Sequence, residues 1–136
     1  MSLYFNMPLE LHRIAAIRFK DKASTIPLSS VDKLLYGYLN GLGVIHGYDS
    51  IFPNVDQVSR HLAISERTLY RALTKLEKVK LIKRTRVKQE GKFDSNKYKV
   101  IQPNRVNRVL WLDATGSELV GSYYNFNPDI YKKRTR

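Results

Sequence analysis

Hydrophobic positions in residues 64–78, ISERTLYRALTKLEK, fall at Leu69, Ala72, Leu73 and Leu76. That i, i+3, i+4, i+7 spacing draws one apolar stripe along a helix. At about 100° per residue, Arg67, Arg71, Thr74 and Lys78 occupy the opposite side. Ser65 is placed to cap this helix, and Glu66 in the first turn suits the positive end of its dipole. Just upstream, NVDQVSRHL starts with Asn54 as a cap and aligns Val55, Val58 and Leu62. Only Ala63 and Ile64 separate the two segments, so two short helices must cross steeply. Taken alone, the polar side of the second helix reads equally as an ordinary solvated face.

The flanking segments extend the pattern. VDKLLYGYLNGL predicts a helix with a broad stripe at Val31, Leu34, Leu35, Tyr38, Leu39 and Leu42, capped by Ser29 or Ser30. GVIHGYDSIFP reads as a loop and STIPLSS as a linker. LHRIAAIRF has helical spacing at Leu11, Ile14, Ala15 and Phe19, yet is rich enough in Ile and Phe for a strand; helix is the expectation. FNMPLEL before it could be a short strand or an extended arm, since Pro8 argues against helix. Beyond the 64–78 helix, LIKRTRV is β-prone, KQEGKFDS turns around Gly91, and NKYKVI alternates. In that last strand Tyr98 and Val100 point one way and Lys97 and Lys99 the other, so a hairpin with one basic face is expected.

Composition enters through charge. The chain has 136 residues, enough for one domain with a real core, and a net charge of +12. Residues 1–59 carry five Lys/Arg against five Asp/Glu, 60–99 thirteen against four, and 100–136 six against three. The excess is focused on the 64–78 helix and the hairpin after it, which favours a polyanionic partner. No apolar run approaches the roughly 18 residues of a membrane span, and MSLYFNMPLELHR lacks a charged-then-apolar signal pattern. The absence of cysteine removes disulfides and thiolate metal sites. A cytoplasmic protein, associated with nucleoid, plasmid or phage DNA and without a membrane partner, is the expectation.

Catalytic and cofactor chemistry find little support. His12, His46 and His61 show no metal-ligand spacing. Gly41, Gly43 and Gly47 follow a helix rather than a strand and lack the lysine of a phosphate loop. No Gly-x-Ser-x-Gly motif or clustered acid pair suggests hydrolysis. The expectation is a protein that is not an enzyme and needs no cofactor.

LSSVDKLLYGYL, FPNVDQVSRHLAISERTLYRALTKLEKVKLIKR and the returning NKYKV together resemble the winged helix-turn-helix domains of plasmid and phage replication initiators and of bacterial transcriptional regulators. The resemblance covers residues 28–101, and FNMPLEL looks like the lead-in of the initiator branch. Ser59 departs from the usual alanine and Ala63 from the usual glycine of the turn, but both replacements are small. A left-handed Ala63 would cost about 1 kcal/mol. The fold implied is α+β: a three-helix core plus a β-hairpin wing, with a C-terminal extension. Residues 1–27 would form an arm packing on the core, 28–101 the winged domain, and 102–136 the extension with its basic tail KKRTR.

By this resemblance the recognition helix is about 66–79 and enters the major groove of duplex DNA, which is about 12 Å wide and admits one helix. Arg67 and Arg71 become candidates for guanine contacts, because guanidinium forks match O6 and N7. Thr68 and Tyr70 flank them and could reach bases or phosphates. Ser65, Thr74, Lys75 and Lys78 would serve the DNA backbone. The wing, about 81–101, adds Lys83, Arg84, Arg86, Lys88, Lys92, Lys97 and Lys99 on phosphates or a minor groove. The competing account of those lysines is edge-strand protection.

In the C-terminal segment, VLWLDATGSELVGSYYNF could be a hairpin turning at DATG or a short helix plus an extended arm. Trp111 and Leu112 would pack on the domain or on a second subunit. Tyr123, Tyr124, Phe126 and Tyr131 are too apolar for a free tail, and dock either within the chain or in a homodimer through the extension. The leading function is sequence-specific binding of double-stranded DNA, in replication, partition or transcriptional regulation. The alternative is a winged-helix adaptor that docks an acidic protein patch. RNA is a third reading, disfavoured because the narrow A-form groove will not admit the helix.

Overall fold

The computed structural model describes residues 9–21, 24–49, 51–87, 95–106, 108–121 and 124. The FNM lead-in, the wing turn with Lys88 and Lys92, and the KKRTR tail lie outside them, as do Tyr123, Phe126 and Tyr131. Along the chain come β1 (Ala16–Phe19), β2 (Thr25–Pro27), α1 (Ser30–His46), α2 (Val55–Leu62), α3 (Glu66–Lys78), β3 (Ile82–Val87), β4 (Ser95–Val100) and β5 (Val109–Leu112). Short 3-10 turns occupy Leu9–Arg13 and Pro103–Arg105. The architecture is the α+β winged helix-turn-helix: three helices among the described residues, a β3–β4 hairpin, and a separate sheet ordered β2-β1-β5.

Helix α1 is the centre of the core. Ser29 caps it reciprocally: its hydroxyl accepts from the Asp32 N–H at 3.3 Å, while the Ser29 N–H donates to Asp32 Oδ2 at 2.8 Å. Leu35, Tyr36, Tyr38 and Leu39 are buried, whereas Leu34 is 39% exposed, so the buried arc lies round from the predicted stripe. Tyr36 takes the place expected of Leu34, and its hydroxyl donates to the Ile101 carbonyl at 2.8 Å. The helix also runs a turn past Leu42, into the predicted loop. It ends at Gly47, whose φ of 93° favours glycine and whose N–H donates to the Gly43 carbonyl at 2.8 Å. Gly43 is needed for another reason: a Cβ there would run into the Tyr48 ring.

Two further expectations are corrected at the N-terminal end. LHRIAAIRF is not a helix but a 3-10 turn followed by strand β1, and STIPLSS contains strand β2. Ile17 explains the choice. It is fully buried, while its neighbour Arg18 is exposed, which is the two-residue period of a strand. That strand exists because β5 lies beside it, with Ile17 opposite Trp111 and Arg18 opposite Leu110. The first and last described segments thus share one antiparallel sheet on the helical core.

DATG is a hairpin turn, as one of the two sequence readings has it. Asp113 Oδ1 accepts from the Thr115 hydroxyl at 2.7 Å, the Thr115 N–H at 2.9 Å and the Ser117 N–H at 3.0 Å. The chain returns with the Leu119 N–H donating to the Trp111 carbonyl at 2.7 Å. Trp111 packs inside this chain at 0% exposure, and Tyr124 is buried too. Among the described residues the Trp111 Nε1–H finds no hydrogen-bond acceptor, a cost of about 1–3 kcal/mol. Burying about 150–250 Å² of indole at ~25 cal/mol per Å² gives about 4–6 kcal/mol, so burial wins.

Candidate nucleic-acid interface

The α2–α3 junction is set by local chemistry. Asn54 Oδ1 accepts from the Gln57 N–H at 3.2 Å to start α2. Ala63 ends it in the left-handed region, at φ 55° and ψ 43°, so the modest strain anticipated for a non-glycine turn is present. Ser59 offsets it. Its hydroxyl donates to the Ile64 carbonyl, and its own carbonyl accepts from the Ile64 N–H at 3.1 Å. Alanine, the commoner residue at this place in the motif, would supply only the second of these bonds. Ser65 then caps α3 by accepting from the Thr68 N–H at 3.1 Å. Tyr38 on α1 and His61 on α2 are joined, hydroxyl oxygen to Nδ1, at 2.8 Å, and burial pushes the Tyr38 phenol above its ordinary range.

Helix α3 is amphipathic in the predicted phase. Leu69, Ala72, Leu73 and Leu76 are buried; Arg67, Arg71, Thr74 and Lys78 are exposed. Tyr70 is 52% exposed beside Arg67 and Arg71 in sequence. The two threonines are partly committed within the helix. Thr68 Oγ1 accepts from the Ser65 hydroxyl at 2.9 Å, and the Thr74 hydroxyl donates to the Tyr70 carbonyl at 2.9 Å.

Lys75 differs from its neighbours. Its Nζ lies 3.0 Å from Oδ2 of Asp32, a carboxylate with only 4% of its side chain exposed. Asp32 therefore serves two purposes, capping α1 and holding α3 by an ion pair. A buried carboxylate without a cation would be costly, so Lys75 is drawn inward rather than outward. The sequence reading has Lys75 on the DNA backbone and takes no account of Asp32; only the helix packing brings the two together.

The wing corrects the expectation of a single basic face. Register pairs Ile82 with Val100, Lys83 with Lys99, Arg84 with Tyr98, Thr85 with Lys97 and Arg86 with Asn96. Because successive side chains alternate, Lys83, Lys97 and Lys99 share the outer face, while Arg84 and Arg86 share the face of Ile82, Tyr98 and Val100. On that inner side, Arg84 Nε lies 3.2 Å from Glu77 Oε2, joining β3 to α3. Burial raises the Tyr98 phenol, with the Arg84 charge working against that shift. On the outer side Lys99 lies 3.8 Å from Asp49, both well exposed, a contact of little energy. Lys97 is half-buried rather than open. The hairpin also has a third partner absent from the sequence reading: Ile51 and Tyr98 exchange backbone hydrogen bonds of 2.9 and 2.8 Å.

Residues 27–82 match the family model of a helix-turn-helix domain. The matched segment has the helix-turn-helix fold and spans α1, α2 and α3 up to the first residue of β3. The wing strands, the β2-β1-β5 sheet and the C-terminal hairpin lie almost wholly beyond the match. No curated protein matches the chain. Among the described residues, no group of three or more His, Asp or Glu could hold a metal ion, and no helix is long and apolar enough to cross a membrane.

Proposed function

We propose that the chain is a sequence-specific double-stranded DNA-binding protein without catalytic activity, acting at a plasmid- or phage-type replication or partition site or as a transcriptional regulator. The observation that carries this reading is the division of α3: four buried apolar residues fix the helix, and Arg67 and Arg71 stand exposed one turn apart. Those two arginines are in the geometry to read guanine edges, with Tyr70 beside them. Lys78, Lys83 and Lys97 supply phosphate contacts that position the helix. Lys75 and Arg84 act indirectly, holding α3 against α1 and the wing through Asp32 and Glu77.

Selection of bound sequences from a random duplex pool tests the reading. Enrichment of one motif with guanines one to several base pairs apart is expected. Repeated copies of that motif in a native footprint favour replication or partition, and one palindrome over a promoter favours regulation, with a homodimer to match. Retention of no duplex at all, with capture of an acidic protein surface instead, would replace this function with that of an adaptor.

A further inference from the structure

Beyond the end of α3 the surface opens into a cleft of about 600 Å³ between the helix, the β1–β2 sheet and the 3-10 turn at Pro103–Arg105. Lys78, Lys80, Arg105 and Arg108 line it, over an apolar floor that includes Phe19 and Ile26. Asp21 is the one acid among the lining residues. Cations at a helix C-terminus suit the dipole, which accounts for Lys78 and Lys80. It does not account for Arg105 and Arg108, which arrive from the C-terminal segment.

Backbone conformation supplies a second, independent observation. Three non-glycine residues among the described ones have positive φ, and two of them are Lys80 (φ 67°) and Arg108 (φ 60°). Glycine fits such positions without strain, so a cation at both, each lining the same cleft, comes at some cost to the fold. The position of the cleft relative to α3 indicates what it meets. From Arg67 to Lys78 the helix advances about 16 Å at ~1.5 Å per residue. If Arg67, near the start of α3, lies over bases, the cleft beyond the other end of the helix lies toward the flank of the site.

We propose that this cleft is a second backbone-binding surface, which takes the sugar–phosphate strand flanking the site that α3 occupies. The four cations meet phosphates, and the apolar floor meets the carbon face of deoxyribose. The inference rests on the duplex-binding reading above and extends it to residues outside the helix-turn-helix segment. It also gives the joined terminal segments a role, since they carry Arg105 and Arg108 to the end of the recognition helix.

The test is the double variant Lys80→Gly/Arg108→Gly, measured on random-sequence duplexes of about 12 and about 30 base pairs, roughly one and three turns. On the long duplex the slope of log K against log salt should become shallower by about two, since two phosphate contacts are lost. On the short duplex, which has no flank to offer, the slope should match that of the unaltered chain. Melting temperature should hold or rise, because glycine relaxes both left-handed positions. Lys80→Arg/Arg108→Lys should restore the long-duplex slope. An unchanged long-duplex slope in the glycine variant would overturn the proposal. So would saturable binding of phenyl phosphate that the glycine variant loses while its long-duplex slope stays put, which would make the cleft a small-anion site. If the unaltered chain binds neither duplex, the function proposed above fails first, and the short duplex is the arm that reveals it.

Discussion

Helix α3 and the β3–β4 hairpin both interleave apolar and basic residues, but they do so at different periods. In α3 a period of 3.6 gathers Leu69, Ala72, Leu73 and Leu76 on one side and leaves Arg67, Arg71, Thr74 and Lys78 together on the other. In the wing a period of two distributes five basic residues over both faces, and Arg84 is answered by Glu77 and Lys99 by Asp49. A similar linear density of positive charge therefore yields a concentrated surface in one element and a divided, partly neutralised one in the other. Charge counted along a sequence measures attraction to DNA only after the period of the element has been applied.

The contrast breaks most directly at the buried side of the helix. Leu76→Ala should cost about 2–5 kcal/mol in denaturant unfolding, because Leu76 is 1% exposed within the core and the cavity cannot fully collapse. Unchanged stability would mean that α3 is not held in the phase that gives its basic side meaning.

Next in size are the ion pairs that hold each element. Asp32→Asn can keep the bond from the Ser29 N–H but removes the charge opposite Lys75, and should cost about 1–3 kcal/mol, discounted for the partial exposure of the lysine. Arg84→Ala breaks the more open pair with Glu77 and should cost about 1 kcal/mol or less. Equal losses on thermal melting would erase the distinction between an inward tie and a surface one.

Binding sharpens the comparison further. Arg71→Ala should cost about 1–3 kcal/mol on the selected site and relax discrimination at one base position. Lys97→Ala should weaken selected and random duplexes by similar factors, with the salt slope reduced by about one. Fluorescence anisotropy on both duplexes at two salt concentrations separates these outcomes. If Arg71→Ala weakens both duplexes alike, Arg71 reads no base.

The smallest effect lies outside both elements, in the DATG turn. The Thr115 hydroxyl, and then the Ser117 N–H, hold the Asp113 carboxyl below its ordinary value of 3.8. A group depressed on folding stabilises above its unfolded value and ceases to do so as pH falls through the folded one. The stability difference between the unaltered chain and Asp113→Asn should thus be constant at neutral pH and shrink below about pH 3.8. A difference that grows in acid would contradict the hydrogen bonds assigned to this turn.

How legible each part was in the sequence follows from how far apart its determinants lie. Caps and stripes are local. Asn54, Ser65 and the α3 leucines act within one or two helical turns, and their roles could be read directly. Strand β1 could not, because AIRF becomes a strand through partners at 25–27 and 109–112. The extra turn of α1 runs through Gly43, against which the Tyr48 ring packs, whereas glycines in sequence signal a break. At the candidate site the outward arginines were evident from spacing. The inward turn of Lys75, the split wing and the cations at Lys80, Arg105 and Arg108 required packing between distant elements.

The pairing of β1 with β5 has a consequence for synthesis on the ribosome. The helix-turn-helix segment, which ends at residue 82, is synthesised before β5, which begins at Val109. Ile17, fully buried in the finished protein, must wait for Trp111, about 90 residues later and about 5–20 s at ~5–20 residues per second. During that interval the edge of β1 that β5 covers in the finished protein has no partner. A chaperone at that stage would meet β1 with the side that Trp111 covers still open.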